Sequence, residues 1–147
     1  MTERTQRCLG IALFVMALIT YTATVLTIAL ERTPFYNLPP SPDAIEYFAG
    51  GLSLAEEGDY QIHVSGQSFP PRYPFGYSLL MVPLFWLGFE SIEVPFRVNQ
   101  VLGAALIACL FTYLWSCRLY VESGLAALLL TTFPAFIIQA GSPMSEM

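Results

Sequence analysis

The stretch that decides the fold is CLGIALFVMALITYTATVLTIAL, residues 8–30, which runs for 23 residues without a charged side chain. At about 1.5 Å per residue, a helix of that length crosses the ~30 Å hydrocarbon layer of a membrane. Arg4 and Arg7 precede the stretch, and because basic residues favour the cytoplasmic side, we predict a cytoplasmic N-terminus. The alternative is a cleaved signal peptide. Its apolar core of ~7–15 residues is shorter and leads to an Ala-x-Ala site, so we favour an uncleaved anchor.

The composition agrees with a membrane protein. The chain has 147 residues, 55% of them hydrophobic and 12% charged, and a soluble domain of this size needs more charge to cover its surface. All six basic residues are Arg and the net charge is -5, which argues against nucleic acid as a partner, since phosphate binding needs clustered cations. The cysteines lie in or beside apolar runs without metal-like spacing, so we predict packing or lipid-facing roles for Cys8, Cys109 and Cys117.

Two further apolar runs predict further spans, at residues 97–117 and 120–140, the second interrupted by a proline. Residues 74–89 are also apolar but number only 16, so this segment spans, lies on the surface or re-enters the membrane. If it does not span, Arg118 falls on the same side as the N-terminal arginines, as the positive-inside rule prefers. We therefore predict an all-α integral membrane fold of about three spans, with residues 31–95 as an external loop that carries surface or re-entrant helices.

The predicted external loop is acidic and opens with a helix. Residues 31–95 hold eight acidic and two basic side chains. A serine suited to an N-cap precedes Pro42, and proline suits the first helical position, so an amphipathic helix is predicted from Pro42 to about Glu57 on the membrane surface. Asp43 falls in its first turn, where the simplest interpretation is that its carboxylate complements the helix dipole. Glu46, one turn later, then belongs to a solvated polar face.

The second half of this loop is predicted to form a short hairpin followed by a proline-rich connection. The segments Tyr60–Val64 and Gln67–Phe69 flank a Ser-Gly turn. His63 is the only histidine, and in an alternating strand a structural role is a simpler interpretation than metal ligation. Prolines then fix an extended backbone that holds Arg72 and Tyr73 at the membrane surface. There Arg72 contacts a phosphate bidentately, or both residues simply anchor the loop among the headgroups.

The order and spacing of five short motifs resemble a known family. The motifs are Asp43-Ala-Ile-Glu46-Tyr47, Gly58-Asp-Tyr60, Arg72-Tyr73-Pro74-Phe75-Gly76-Tyr77, Arg97-Val-Asn99, and Ser145-Glu146 after the proline-bearing span. Over about residues 8–147 the chain resembles the N-terminal part of the GT-C membrane glycosyltransferases. The nearest groups are relatives of the protein O-mannosyltransferases, of the lipid A aminoarabinose transferase and of the rhizobial galacturonosyltransferases. The chain departs from the family where Phe75 replaces a second proline and where Ala44 follows Asp43 in place of the usual glutamate.

The resemblance implies transfer of a sugar from a polyprenyl-phosphate donor to a hydroxyl of a lipid, glycan or protein acceptor at the outer face of the inner cell membrane. It implies that Asp43 is the catalytic base. The residues that it assigns to substrate binding are Glu46, Arg72, Tyr73, Arg97 and Glu146. The arginines among them would stabilise the charge that grows on the leaving phosphate. A divalent metal is compatible with the acidic residues and His63, but their spacing does not demand one, so no metal or other cofactor is predicted.

Members of this family have many more spans. The resemblance therefore implies that residues 1–147 are the N-terminal portion of a multi-pass glycosyltransferase domain, inactive by itself. The alternative class is a small non-enzymatic multi-pass membrane protein, such as an assembly partner or a transporter subunit. Such a protein would use the same spans and the same amphipathic helix as packing surfaces. In-frame sequence after residue 147 that continues as membrane spans, and loss of transfer in Asp43→Asn, would each favour the enzyme.

Overall fold

The computed structural model describes residues 1–31, 42–89, 91 and 93–141, except for the side chains of residues 28–31, 42–44, 139 and 141. The chain is mostly helical, as predicted, with one two-stranded antiparallel sheet among these residues. The elements in chain order are α1 (Glu3–Glu31), α2 (Pro42–Glu56), β1 (Ile62–Val64), β2 (Gln67–Phe69), α3 (Gly76–Trp86), α4 (Val94–Ser116), α5 (Tyr120–Thr132) and α6 (Pro134–Gly141).

Within this described part of the chain, two helices are long and apolar enough to cross a membrane, α1 and α4. They coincide with the first two predicted spans, residues 8–30 and 97–117, and each helix begins a few residues earlier than its uncharged run. At the start of α1, Glu3, Arg4 and Arg7 are good helix formers even though they cannot enter the hydrocarbon layer. At the start of α4, Pro95 suits a first helical turn. The helical character of both segments is therefore confirmed.

The third predicted span, residues 120–140, is two helices rather than one. α5 has 13 residues and α6 has 8, and each is shorter than the roughly 20 residues of a single crossing. Phe133 between them is extended, with φ -78° and ψ 114°. The cause is Pro134, which lacks an N–H and disfavours the helical conformation of the residue before it. Residues 120–140 thus do not form one continuous membrane helix, and a crossing by α5 and α6 together stays a prediction.

The chain folds into two compact units. The first contains α1, the part of α4 from Gln100 onward, α5 and α6. Its buried hydrophobic core consists of Ala17, Tyr21, Val25, Ile107, Ala127 and Ala140. Phe14 stacks on Phe111 at 4.0 Å between ring centroids, and Tyr21 donates a 2.8 Å hydrogen bond to the Gln100 carbonyl oxygen. Since later residues of α1 contact earlier residues of α4, these two helices run antiparallel.

Helices α1 and α5 pack closely and run parallel. A Cβ atom added to Gly124 of α5 would lie 2.6 Å from the carbonyl oxygen of Gly10, so the two backbones approach as only glycine permits. Near the start of both helices, Arg7 Nη2 donates to the Tyr120 hydroxyl at 2.9 Å, and Arg7 lies over the Tyr120 ring. The start of α1, the end of α4 and the start of α5 therefore lie at one end of this unit.

The second unit contains α2, the hairpin, α3 and the first turns of α4 up to Asn99. Its buried hydrophobic core consists of Met81, Phe85, Val94 and Val98, with residues of α2 packed against it. A Cβ on Gly51 would lie 3.0 Å from both the Phe85 ring and the Ser78 carbonyl oxygen, so this glycine allows α2 to lie directly on α3. The indole Nε1 of Trp86, at the end of α3, donates to the Ala55 carbonyl oxygen near the end of α2 at 3.1 Å.

The local predictions for this second unit are confirmed with small changes of boundary. Helix α2 ends at Glu56, and Gly58 follows with a positive φ of 73°, a usual helix stop. The predicted hairpin forms around Ser65 and Gly66, whose φ angles of 51° and 80° are those that two-residue hairpin loops require. Helix α3 has 11 residues, so at about 16 Å it is too short to cross a membrane by itself.

Candidate functional site

The second unit joins two of the predicted substrate-binding residues, Glu46 and Arg72. Glu46 lies one turn into α2, and Arg72 lies in the proline-rich connection before α3. The Nε atom of Arg72 donates to Glu46 Oε1 at 2.6 Å, and Nη2 donates to the same oxygen. The Glu46 side chain is only 15% exposed, whereas that of Arg72 is 67% exposed. The carboxylate is therefore held in the protein and the guanidinium covers it from the solvent side.

The second carboxylate oxygen of Glu46 has a different environment. Oε2 is buried, and among the described residues no hydrogen-bond partner reaches it. A buried acceptor without a donor costs about 1–3 kcal/mol, and more when it carries charge. One donor at this position, from a polar side chain or from a bound molecule with a hydroxyl or ammonium group, would remove that cost. Glu46 thus has one oxygen committed to Arg72 and one that, among the described residues, has no donor.

Aromatic rings extend the Glu46–Arg72 pair into a cluster. Tyr47 is next to Glu46 in α2. Its ring centroid lies 5.2 Å from that of Tyr73 and 5.1 Å from that of Tyr77. The Arg72 guanidinium also lies 5.9 Å from the centre of the Tyr73 ring, within the range of a cation–π interaction. The predicted site residues Glu46, Arg72 and Tyr73 are therefore neighbours.

Tyr77 connects this cluster to the start of α4. Its hydroxyl donates to Asn99 Oδ1 at 2.8 Å, and the Pro95 carbonyl oxygen lies 3.0 Å away. Burial raises the pKa of Tyr77, and the nearby Tyr47 raises it further, so the phenol remains a protonated donor throughout the physiological range. Sequence reasoning included Tyr47, Tyr77 and Asn99 in the family motifs but did not assign them to the site. Their position in those motifs was the signal that could have identified them.

Two hydrogen bonds fix the backbone of the cluster. The Ser78 hydroxyl, fully buried in α3, donates to the Tyr47 carbonyl oxygen at 2.9 Å. The Tyr60 hydroxyl donates to the Tyr73 carbonyl oxygen at 3.1 Å. Each hydroxyl donor lies in a different segment from the carbonyl oxygen that it contacts. The positions of Tyr47 and Tyr73 therefore depend on tertiary packing rather than on local conformation.

Arg97 lies on an exposed part of the first turns of α4. Its Nη2 atom is 3.6 Å from Glu93 Oε2, one helical turn earlier. This separation is that of an ion pair rather than of a hydrogen bond. Because both side chains are well exposed and the pair is spaced at i,i+4, it contributes at most a few tenths of a kcal/mol, about 0.3–0.5. Arg97 therefore holds Glu93 much more loosely than Arg72 holds Glu46.

The remaining predicted site residues fall outside what the structure describes. Asp43 lies in the first turn of α2, one turn before Glu46, but its side chain is outside the described side chains. Glu146 lies outside the described residues altogether. Their predicted roles as catalytic base and substrate ligand stay predictions.

His63 lies on the hairpin and bridges it to the end of α2. Its Nδ1 atom is 2.9 Å from the Ser68 hydroxyl, its cross-strand partner, and its Nε2 atom is 3.3 Å from Glu57 Oε2. This arrangement fits a role in holding the hairpin against α2. Within the described part of the chain, no group of three or more His, Cys, Asp or Glu side chains could hold a metal ion.

Comparison of the chain with protein-family models, with curated proteins and with solved structures found no match.

Proposed function

We propose that this chain takes part in the transfer of a sugar from a polyprenyl-phosphate donor to an acceptor hydroxyl at the outer face of a membrane. One observation carries the proposal: three motifs that are distant in sequence are in contact. Glu46 and Tyr47 of α2 contact Arg72, Tyr73 and Tyr77, and Tyr77 contacts Asn99 of α4. These are the motifs on which the glycosyltransferase resemblance depends, and a chance resemblance gives no reason for them to meet.

The proposed chemistry uses the first turn of α2. The Asp43 carboxylate takes the proton of the acceptor hydroxyl while the hydroxyl oxygen attacks the anomeric carbon of the sugar. The bond between that carbon and the phosphate oxygen breaks, and polyprenyl phosphate leaves with the bonding electron pair. Asp43 lies one turn before Glu46 in α2, and the two residues are proposed to act on the same substrate.

Glu46 is proposed to bind a substrate hydroxyl rather than to transfer a proton. Its Oε1 atom is already paired with Arg72, while Oε2 is buried and has no donor among the described residues. A hydrogen bond from a hydroxyl to a charged carboxylate contributes about 1.5–3 kcal/mol, enough to orient a sugar or an acceptor.

The arginines are proposed to have different roles. The charge of Arg72 is already offset by the carboxylate that it contacts, so Arg72 serves mainly to hold Glu46. Arg97 is about half exposed and lies at the start of a membrane-length helix. It is therefore the better candidate to stabilise the charge that develops on the leaving phosphate.

A membrane location is supported by the two apolar helices, and the first unit supports one particular orientation of them. The start of α1, the end of α4 and the start of α5 lie at one end of that unit, so Arg4, Arg7 and Arg118 belong to the same end. Clustered arginines favour the cytoplasm, and α5 with α6 would then form a proline-broken third crossing. In this layout the segments that carry Asp43 and Glu146 are both external.

The test uses membranes of cells in which the chain is expressed from its native locus. Transfer of labelled sugar from a panel of polyprenyl-phosphate sugars is measured for the wild type, Asp43→Asn and Glu56→Gln. Glu56 is an exposed carboxylate at the other end of α2 and serves as a matched control. We expect Asp43→Asn to lower the transfer rate by about 100-fold or more, as loss of a general base does, and Glu56→Gln to keep the wild-type rate.

Unchanged transfer by Asp43→Asn at normal membrane insertion would remove Asp43 from the mechanism. No transfer by wild-type membranes from any donor would favour a non-enzymatic membrane subunit.

A further inference from the structure

Helix α3 is apolar on both of its faces. Its inner face, at helical spacing, is buried in the second unit and consists of Ser78, Met81, Val82 and Phe85. Its other face has the same spacing and is exposed; we call Leu79, Leu80, Pro83, Trp86 and Leu87 the outward face of α3. Leu79 and Leu80 are each about half exposed, at 50% and 49%, and Trp86 is 72% exposed. A contiguous exposed apolar face of this kind marks a surface that binds something.

The position of α3 indicates what covers this face. Met81 and Phe85 share one hydrophobic cluster with Val94 and Val98, which lie in the first two turns of α4. A hydrogen bond of 2.8 Å from the Tyr77 hydroxyl to Asn99 Oδ1 also joins α3 to α4. Since α4 is one of the two described helices long and apolar enough to cross a membrane, α3 lies at the level where such a crossing begins.

The length and sequence of α3 limit how it can meet the membrane. It has 11 residues and spans about 16 Å, half of the hydrocarbon thickness, so it does not cross alone. No charged residue occurs between Arg72 and Glu90, so nothing in this segment resists contact with hydrocarbon. Trp86 keeps its Nε1–H bonded to the Ala55 carbonyl oxygen while its ring stays exposed, which is how tryptophan is used at membrane interfaces.

We propose that the outward face of α3 binds the acyl chains of the membrane leaflet in which α4 begins. The helix is then half-immersed: Leu79, Leu80 and Trp86 contact lipid, and the inner face packs on α2 and α4. Lipid is favoured over a protein partner because α3 packs on the first turns of a membrane-length helix and its outward face carries no charged side chain. This proposal needs α4 to be a membrane helix but does not depend on the sugar-transfer function.

The experiment uses the two tryptophans of the chain, Trp86 and Trp115. The full chain with Trp115→Phe, which keeps only Trp86, is reconstituted in phosphatidylcholine vesicles with and without brominated acyl chains. We expect brominated lipid to remove most of the Trp86 emission and aqueous acrylamide to remove little of it. The matched control, Trp86→Phe, keeps Trp115 in α4 and shows that the chain has entered the bilayer.

A second measurement does not depend on tryptophan. In a chain with Cys8→Ala, Cys109→Ala and Cys117→Ala, a nitroxide label is attached at Leu80→Cys or, as the control, at Gln67→Cys on the exposed hairpin. We expect the Leu80 label to be relaxed strongly by oxygen and weakly by an aqueous nickel chelate, and the Gln67 label to show the reverse. Strong nickel relaxation at Leu80, with acrylamide quenching of Trp86, would mean that the face meets water. Protection from both reagents, with no quenching by brominated lipid, would mean that protein covers it. Either result overturns the proposal.

Discussion

The Glu46–Arg72 pair makes an asymmetric prediction about stability. Arg72→Ala removes the hydrogen-bond donors that hold a carboxylate only 15% exposed, so that among the described residues neither of its oxygens keeps a donor. Breaking a largely buried charged interaction in this way costs about 2–3 kcal/mol. Glu46→Gln removes the charge from the buried side and leaves Arg72, 67% exposed, to be hydrated by solvent. Because an exposed guanidinium loses little when its partner is neutralised, we expect that substitution to cost less than about 1 kcal/mol.

The same reasoning predicts a rescue. In the double variant Arg72→Ala/Glu46→Gln, the buried carboxylate is gone, so most of the penalty of Arg72→Ala disappears with it. We expect the double variant to be more stable than Arg72→Ala alone by at least about 1 kcal/mol. A simple surface ion pair predicts no rescue, because each single substitution already removes the whole of the same small interaction.

The assay is reversible unfolding in mixed detergent micelles, followed by Trp86 fluorescence in the Trp115→Phe background. Trp86 donates to the Ala55 carbonyl oxygen of α2, so its emission reports the unit that contains the pair. Glu56→Gln, an exposed carboxylate on the same helix, is the control and should leave the midpoint unchanged. The reasoning is refuted if Arg72→Ala costs no more than Glu46→Gln, or if the double variant is less stable than Arg72→Ala.

Two further predictions test the packing of each unit. Tyr77→Phe removes the hydroxyl that donates to buried acceptors on α4. We expect the free energy of unfolding to fall by about 1–2 kcal/mol in the same assay. The control is Tyr113→Phe, at an exposed tyrosine, which should cost almost nothing. Gly124→Ala places a Cβ 2.6 Å from the Gly10 carbonyl oxygen, a backbone atom that cannot rotate away. We therefore expect the free energy of unfolding of the first unit to fall by about 1–3 kcal/mol. Unfolding of this unit is followed by Trp115 fluorescence in a Trp86→Phe chain. Gly76→Ala, where an added Cβ meets nothing within 4 Å, is its control and should be neutral.

Features of the chain that depend on local sequence were predictable. The uncharged runs identify α1 and α4 because charge exclusion is a property of the sequence alone. The Ser65-Gly66 turn identifies the hairpin because few residues tolerate the positive φ angles that it needs. The break at Phe133 was less evident. An apolar run that contains a proline is compatible with either a kinked helix or two helices, and neighbouring packing decides between them.

For the candidate site, the motifs predicted residues but not their contacts, and the roles of those residues stay predictions. The motifs indicated that Glu46, Arg72 and Tyr73 belong together, and they are neighbours. Nothing in the sequence indicates that the charge of Arg72 is offset by Glu46, because the two residues are 26 positions apart and meet only through packing of α2 against the connection before α3. The contacts of Tyr77 with α4 are hidden for the same reason: helical spacing shows which face a residue occupies, but not which helix lies opposite.

The pairing of Glu46 with Arg72 changes how charge is distributed across the proposed site. With Nε of Arg72 only 2.6 Å from Oε1 of Glu46, the pair acts on a third charge as a dipole, and its influence falls off much faster with distance than that of a single cation. Arg72 therefore contributes little attraction for an anionic donor as long as it holds Glu46, although it is the more exposed of the two. The exposed ion pair of Arg97 with Glu93, at 3.6 Å, contributes little by itself. A site that binds a polyprenyl phosphate would thus recognise the phosphate through the start of α4 and the sugar through α2. In such a site, a carboxylate left uncompensated beside the donor would repel the phosphate, so the pairing of Glu46 with Arg72 would also reduce that repulsion.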